Sequence, residues 1–201
     1  MVGSLYFITM MQMNFNFLPT VIVFQGEKPI YVRERDSGMY DIWVYAMTKW
    51  FAEIPIMLIV PFLINVCIYF TIGFQNRVEE FIQFYLILAM MLQAATALGY
   101  LLSSIFNQET TAVACVPMFN IPMTLTAGYL VNLKGIFHQT PQKFLAWTMY
   151  FSPMHYCFTG LMTAQFPVEG YPLTEKIMQD YGFDKNHYWG CLGMLTLLAI
   201  L

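Results

Sequence analysis

Four stretches of this chain carry no charged residue: Met1 to Gly26, Ile54 to Asn76, Phe81 to Gln108 and Thr110 to Leu133. Each exceeds the roughly 20 residues a helix needs to cross about 30 Å of hydrocarbon. Four such runs in 201 residues cannot all be core helices of one water-soluble domain. Only 10% of residues are charged, against roughly 25% in a typical soluble domain, so the chain lacks the polar surface to cover a globule in water. The pattern therefore predicts an all-α membrane protein, a polytopic bundle of transmembrane helices.

The first run resembles a secretory leader only superficially. No basic residue precedes it, and the apolar stretch from Val2 to Phe24 is too long for a leader's core. It is read as a span over 1–25. Its polar residues Gln12, Asn14 and Asn16 would be costly against lipid, so they are expected to face protein or a cavity. A charged block follows over 26–49, with Lys28, Arg33, Glu34, Arg35, Asp36, Asp41 and Lys49 among Tyr31, Tyr40, Trp43 and Tyr45. Rings with polar edges settle at the headgroup level, so a helix parallel to the membrane surface is expected there.

Further spans are expected over 50–73, 81–104 and 111–131. Pro117 and Pro122 each remove a backbone donor from the last of these and predict a kink. From 132 to 187 the pattern changes. Phe144 to Val168 lacks charge but is interrupted by Pro153, His155, Gly160, Gln165 and Pro167, which suits a re-entrant helix buried against protein. The segment 188–201 begins one more span and covers about 21 Å, so the chain is expected to stop within it.

Several classes of chemistry find no support. The net charge of -3 comes with no basic stripe, so nucleic acid is not an expected partner. His138, His155 and His187 are widely spaced and make no metal-ligand or catalytic pattern. Cys67, Cys115, Cys157 and Cys191 form no CxxC, and no disulfide among them is expected. Orientation does not follow from charge: Lys28, Arg33, Arg35 and Lys49 lie on one side, and Arg77, Lys134, Lys143, Lys176 and Lys185 on the other.

Three blocks carry a family resemblance. Glu27-Lys28-Pro29-Ile30-Tyr31-Val32-Arg33-Glu34, with Tyr40, Tyr45, Lys49 and Glu53-Ile54-Pro55 after it, resembles the first intracellular loop of White-type, G-subfamily ABC transporters. Ile121-Pro122 followed by Ala127-Gly128-Tyr129-Leu130-Val131 is similar to the end of that family's fifth helix. Tyr150-Phe151-Ser152-Pro153, His155-Tyr156 and Phe158-Thr159-Gly160 are similar to its later "YxSxxRYGFxG" stretch.

The resemblance implies helices two to six of a six-helix ABC-2 type membrane domain, the last one cut, with an external re-entrant segment. It implies a permease for apolar or amphipathic molecules such as a lipid, sterol or xenobiotic, in contact with membrane lipid and paired with a second half-transporter as a homo- or heterodimer. No GxxxxGK[ST] loop occurs in the sequence, so ATP and Mg are expected on a nucleotide-binding domain of the full-length chain, and no enzyme activity or cofactor is expected on these residues. Arg33, Glu34, Tyr40, Lys49 and Glu53 are the expected coupling residues, with Lys49 and Glu53 spaced to pair on one helix face. Asn14, Phe15, Ile121, Thr124 and Leu125 are the expected pocket, and Tyr129 and Leu130 the expected gate toward the twofold axis. A channel, an ion-coupled carrier and a non-transporting assembly subunit are the rival readings. No span carries the pair of buried ionisable groups that ion coupling needs.

Overall fold

A computed structural model describes residues 2–74, 78–130, 148–165 and 188–200, and the described residues form helices without strands. In chain order these are α1 Val2–Asp36, α2 Ile42–Ile72, α3 Val78–Ile105, α4 Glu109–Leu125, α5 Pro153–Gln165 and α6 Tyr188–Ile200. The first three are long and apolar enough to cross a bilayer. The molecule is an integral, multi-pass membrane protein.

The helix ends differ from the expected spans in two places. Residues 26–49 are not a separate surface helix: α1 runs unbroken through Gln25 and Pro29 to Asp36, and α2 starts at Ile42. The onset of charge marks where water begins, not where hydrogen bonding along the helix stops. The two helices are joined by a tight turn in which Gly38 takes a φ of 77° and the Ser37 and Gly38 amides cap carbonyls of Arg33 and Arg35. At the other end of α2, Gly73 closes the helix with a φ of 73° and donates its amide to Tyr69.

The second difference is α4, which ends at Leu125 rather than near Val131. Pro122 permits this by leaving the upstream turn short of a donor, and Thr126 then closes it. Its amide and hydroxyl both donate to the Pro122 carbonyl, at 3.0 and 2.9 Å. Of the expected external segment, α5 is described: 13 residues, about 20 Å long, buried along nearly its whole length by α1, α3, α4 and α6. Positions 131–147 and 166–187 of that segment lie outside the described residues.

Packing explains why α3 is the centre. It bears Ala89, Ala94, Ala95, Gly99 and Ser103 among its buried residues, and small side chains let backbones approach closely. α1 lays a stripe at four-residue spacing, Leu5, Thr9, Met13, Phe17, Val21 and Gln25, all buried where it packs on α3 and α5. From the other side α2 contributes Met57, Pro61, Asn65 and Tyr69 at the same spacing. Most of the rest of α2 is exposed, as suits a helix facing lipid, apart from partly buried residues such as Tyr45, Lys49, Glu53 and Ile68.

α1 crosses α3 closely at Gly99. A Cβ there would sit 2.9 Å from Thr20 Cγ2 and 3.4 Å from the Phe17 carbonyl oxygen. Gly99→Val is therefore expected to destabilise the bundle by about 1–3 kcal/mol through overpacking, read as a lower melting temperature in detergent. Gly26→Ala, where nothing lies within 4 Å, serves as the control and should not lower it.

Candidate functional site

The charged ends of α1 and α2 are tied to α3 by one connected network. Lys49 of α2 donates to Glu27 of α1, and its ammonium lies 3.6 Å from Glu53, one turn further along α2. Tyr45 also donates to Glu27, at 3.3 Å, and Tyr100 of α3 donates to Glu53. One cation thus stands between two carboxylates drawn from two helices, with a phenol on the third completing the chain. The Lys49 side chain is 17% exposed, so its ion pairs are partly withdrawn from water.

A second clamp sits beside it. Lys28 donates to the Phe106 and Ser104 carbonyls, at 2.7 and 3.2 Å, and Gln25 donates to Ser103 and Phe106. These carbonyls lie in the last turn of α3 and just past its end, where intrahelical donors run out, and a positive charge there also suits the helix dipole. The clamps hold the C-terminal part of α1 against the end of α3 at the point where the sequence turns polar. They explain why α1 continues as a helix beyond the hydrocarbon.

Toward the tip the network becomes aromatic. Tyr31 packs on Tyr45 with ring centroids 4.4 Å apart, and Tyr40 lies parallel to Tyr45 at 6.1 Å. Tyr40 donates to Glu34 at 2.7 Å, and that bond to a carboxylate, above all, pushes the phenol up to about 12. The hydroxyl therefore keeps its proton and its donor role throughout the physiological range. Beyond it the tip is exposed: Arg33, Arg35 and Asp36 stand beside Met39, Ile42, Trp43 and Met47. Of the expected coupling residues, Glu34, Tyr40, Lys49 and Glu53 make these side-chain bonds. Arg33 stays on the open surface.

The expected pocket residues divide between two faces of α1. Asn14 accepts from the Asn120 amide of α4 at 2.6 Å, so Asn14, Ile121, Thr124 and Leu125 share the α1–α4 face. Ile121, Leu125, Met10 and Leu18 on this side are exposed, a broad apolar wall with the Asn14–Asn120 pair set in it. Phe15, turned about 100° from Asn14, lines a different cavity between α1 and α2.

The expected gate pair also divides. Tyr129 turns into the bundle, where its ring stacks on Tyr6 at 4.8 Å and meets Phe158 edge-on at 6.1 Å. It reaches so near α1 that a Cβ at Gly3 would lie 3.2 Å from its hydroxyl. Leu130, next in sequence, is 55% exposed. The early end of α4 is the cause: past Thr126 the chain is no longer helical, and Gly128 takes a φ of 105°, so neighbouring residues are free to point apart.

Residues 1–166 match the family described as ABC-2 type transporter. The chain belongs to that family. Among curated relatives it is 28% identical over 165 residues to protein white of Ceratitis capitata, covering 82% of this chain and 24% of that protein. It is 26% identical over 209 residues to ABC transporter G family member 21 of Arabidopsis thaliana, covering 99% of this chain and 30% of that protein. It is 24% identical over 196 residues to the ABC transporter ATP-binding protein/permease wht-1 of Caenorhabditis elegans, covering 87% and 28%. The chain thus spans less than a third of the length of each of these relatives.

Membership in the ABC-2 type family makes these helices part of the membrane domain of that transporter family, and the network joining the C-terminal ends of α1 and α3 to the N-terminal part of α2 falls within the matched residues. Sequence reasoning found Lys49 and Glu53 but did not assign Glu27, Tyr100, Asn120, Gln25 or Lys28 to any site. Glu27 and Lys28 were visible as the first charges after an apolar run. Tyr100 and Asn120 gave no signal, since a lone Tyr or Asn in a span has no pattern until its neighbour is known. The four cysteines are free thiols. Among the described residues no group of histidines, cysteines or acids is arranged to hold a metal.

Proposed function

We propose that this chain is the membrane-spanning part of an ATP-driven exporter of apolar or amphipathic molecules, a lipid, sterol or xenobiotic. ATP and Mg act on a nucleotide-binding domain of the full-length protein. A second half-transporter, identical or related, supplies the other wall of the cavity. One observation carries the reading: the exposed apolar face shared by α1 and α4, with the Asn14–Asn120 pair within it. Ile121, Thr124 and Leu125 on such a wall bind by area, and the amide pair offers a polar contact that tolerates varied substrates.

The α1–α2 hairpin is the coupling element. Its tip offers charge and exposed apolar side chains for docking, and its base is fixed to α3 through Glu27, Lys49, Glu53 and Tyr100. A domain that pulls on the tip moves helices, because the root does not yield. Leu130 closes the outer end of the cavity against its symmetry mate, with Tyr129 behind it as a support packed on α1 and α5.

The test is efflux from vesicles holding the purified full-length transporter, with a fluorescent apolar dye inside. Efflux should require ATP, and Ile121→Trp, which fills the wall, should cut it by roughly tenfold, equivalent to about 1.4 kcal/mol of barrier. Transport driven by an ion gradient without ATP would support the carrier reading and sink this one.

A further inference from the structure

Beside the ionic network, a cavity of about 190 Å³ lies where α1, α2 and α3 meet. Its polar lining comes from all three helices: Asn16 and Thr20 of α1, Glu53 of α2, and Thr96 and Tyr100 of α3. The three hydroxyl protons are already committed. Thr20 donates to the Asn16 carbonyl at 2.7 Å, Thr96 to the Gln93 carbonyl at 2.8 Å, and Tyr100 to Glu53. The Asn16 amide likewise donates along its own helix, to the Gln12 carbonyl at 2.7 Å, and its Oδ1 can only accept. With a carboxylate added, the lining is rich in lone pairs and holds one uncommitted proton, the second of the Asn16 amide.

The charges beside this cavity do not balance. Glu27 and Glu53 share the single cation Lys49, which leaves one negative charge in excess. Lys28, the next cation, is bonded to carbonyls at the end of α3 and not to either acid. Lys49 and Tyr100 both approach Glu53 through Oε1, so Oε2 has neither contact. The Glu53 side chain is 25% exposed, and water therefore screens the excess charge incompletely.

We propose that this cavity binds a monovalent alkali cation, held by the Glu53 carboxylate and the neutral oxygens of Asn16, Thr20, Thr96 and Tyr100. Hard cations take oxygen ligands, and neutral oxygens can replace an ion's hydration shell, so no cluster of acids is needed. A divalent ion does not suit the site: one carboxylate, already shared with Lys49, cannot offset two charges. Water alone would take up two of the lone pairs and leave the excess charge in place. The ion ties α1 to α2 and α3 about two helical turns deeper into the apolar part of α1 than the Glu27–Lys49 bond does. It is a fixed part of the junction, and it requires neither nucleotide nor substrate.

The experiment uses the purified full-length transporter in detergent without nucleotide. Its melting temperature is followed as sodium chloride replaces N-methylglucamine chloride at constant ionic strength, the organic cation being too bulky to be coordinated there. Sodium is expected to raise the melting temperature by about 2–4 °C along a saturating curve, as a ligand of the folded state does at about tenfold over its Kd. Magnesium chloride at equal ionic strength should not reproduce the rise. Thr20→Val, which keeps the shape of the side chain, and Asn16→Leu should each cut the sodium-dependent rise to less than about half. The melting temperature of each variant in N-methylglucamine alone separates loss of the ion from loss of packing.

Equal melting in sodium and N-methylglucamine overturns the proposal. So does a rise that climbs in proportion to sodium without saturating, which is an ordinary salt effect, or one that magnesium equals. A saturating rise that survives both substitutions also removes the ion from this cavity. Should one variant fail to fold, the other decides. Because ATP and substrate are absent throughout, failure here leaves the exporter reading untouched.

Discussion

Lys49→Met in the full-length transporter is expected to lower ATP-driven efflux by at least roughly tenfold, while Lys49→Arg keeps most of it. The reason is the arithmetic of charge at the base of the hairpin. Lys49 bonds Glu27 on α1 and lies 3.6 Å from Glu53 on its own helix, and Glu53 also holds Tyr100 of α3. Removing the cation leaves two carboxylates facing a partly buried space, a loss of about 1–3 kcal/mol once their remaining access to water is allowed for. They would recover it by drawing apart or by admitting water between the helices. Either response frees α1 from α2 where the hairpin should act as one piece. Stability should fall modestly, whereas coupling should fall steeply: ATP hydrolysis continues and efflux does not follow it. A second replacement, Glu27→Gln, in the Lys49→Met background removes one of the uncompensated charges and should recover part of the efflux. The measurement is efflux per ATP hydrolysed in reconstituted vesicles. An unchanged ratio in Lys49→Met would reduce the network to a local ion pair.

The bundle itself was legible because charge and length are strong signals in a membrane. Four chargeless runs became α1 to α4, and the proline-interrupted stretch around Pro153 became a short buried helix. Helix ends were less legible. A helix in water and a helix in lipid have the same backbone bonds, so the charges from Glu27 onward could not reveal that α1 continues to Asp36. Nor could Pro122 say whether α4 would kink and go on or stop at Leu125, since that depends on Thr126 finding the Pro122 carbonyl. At the candidate site, i to i+4 spacing gave Lys49 and Glu53, a local relation. The partners Glu27 and Tyr100 are 22 and 47 positions away from the groups they meet, and pairing at that range is set by helix packing. Gln12 was expected to avoid lipid, which it does. That its amide nitrogen would be buried without a partner is a property of packed helices together, unreadable from one.

The division of Tyr129 from Leu130 yields the sharpest contrast between support and closure. Leu130→Ala is expected to raise efflux leak and basal ATP turnover several-fold while leaving the melting temperature within about a degree, because surface truncations away from a packed core change stability by less than about 0.5 kcal/mol. Its side chain is 55% exposed. Tyr129→Ala should behave differently. It removes a ring stacked on Tyr6 and set edge-on to Phe158, opening a void between α1 and α5. For a half-buried ring the cost is about 2 kcal/mol, below the full range for a buried aromatic. Tyr129→Phe keeps the ring and should be near neutral, which separates the ring's packing from its hydroxyl. The stack sits where α4 has just ended, so loosening it also frees the segment that carries Leu130, and leak should follow the loss of stability. Measuring melting temperature and leak on the same preparations decides the order of cause. Leak in Leu130→Ala without a change in melting, and both together in Tyr129→Ala, is the expected pattern. A leak-free Leu130→Ala at equal expression would remove closure from this residue and leave the outer end of α4 as an interfacial anchor.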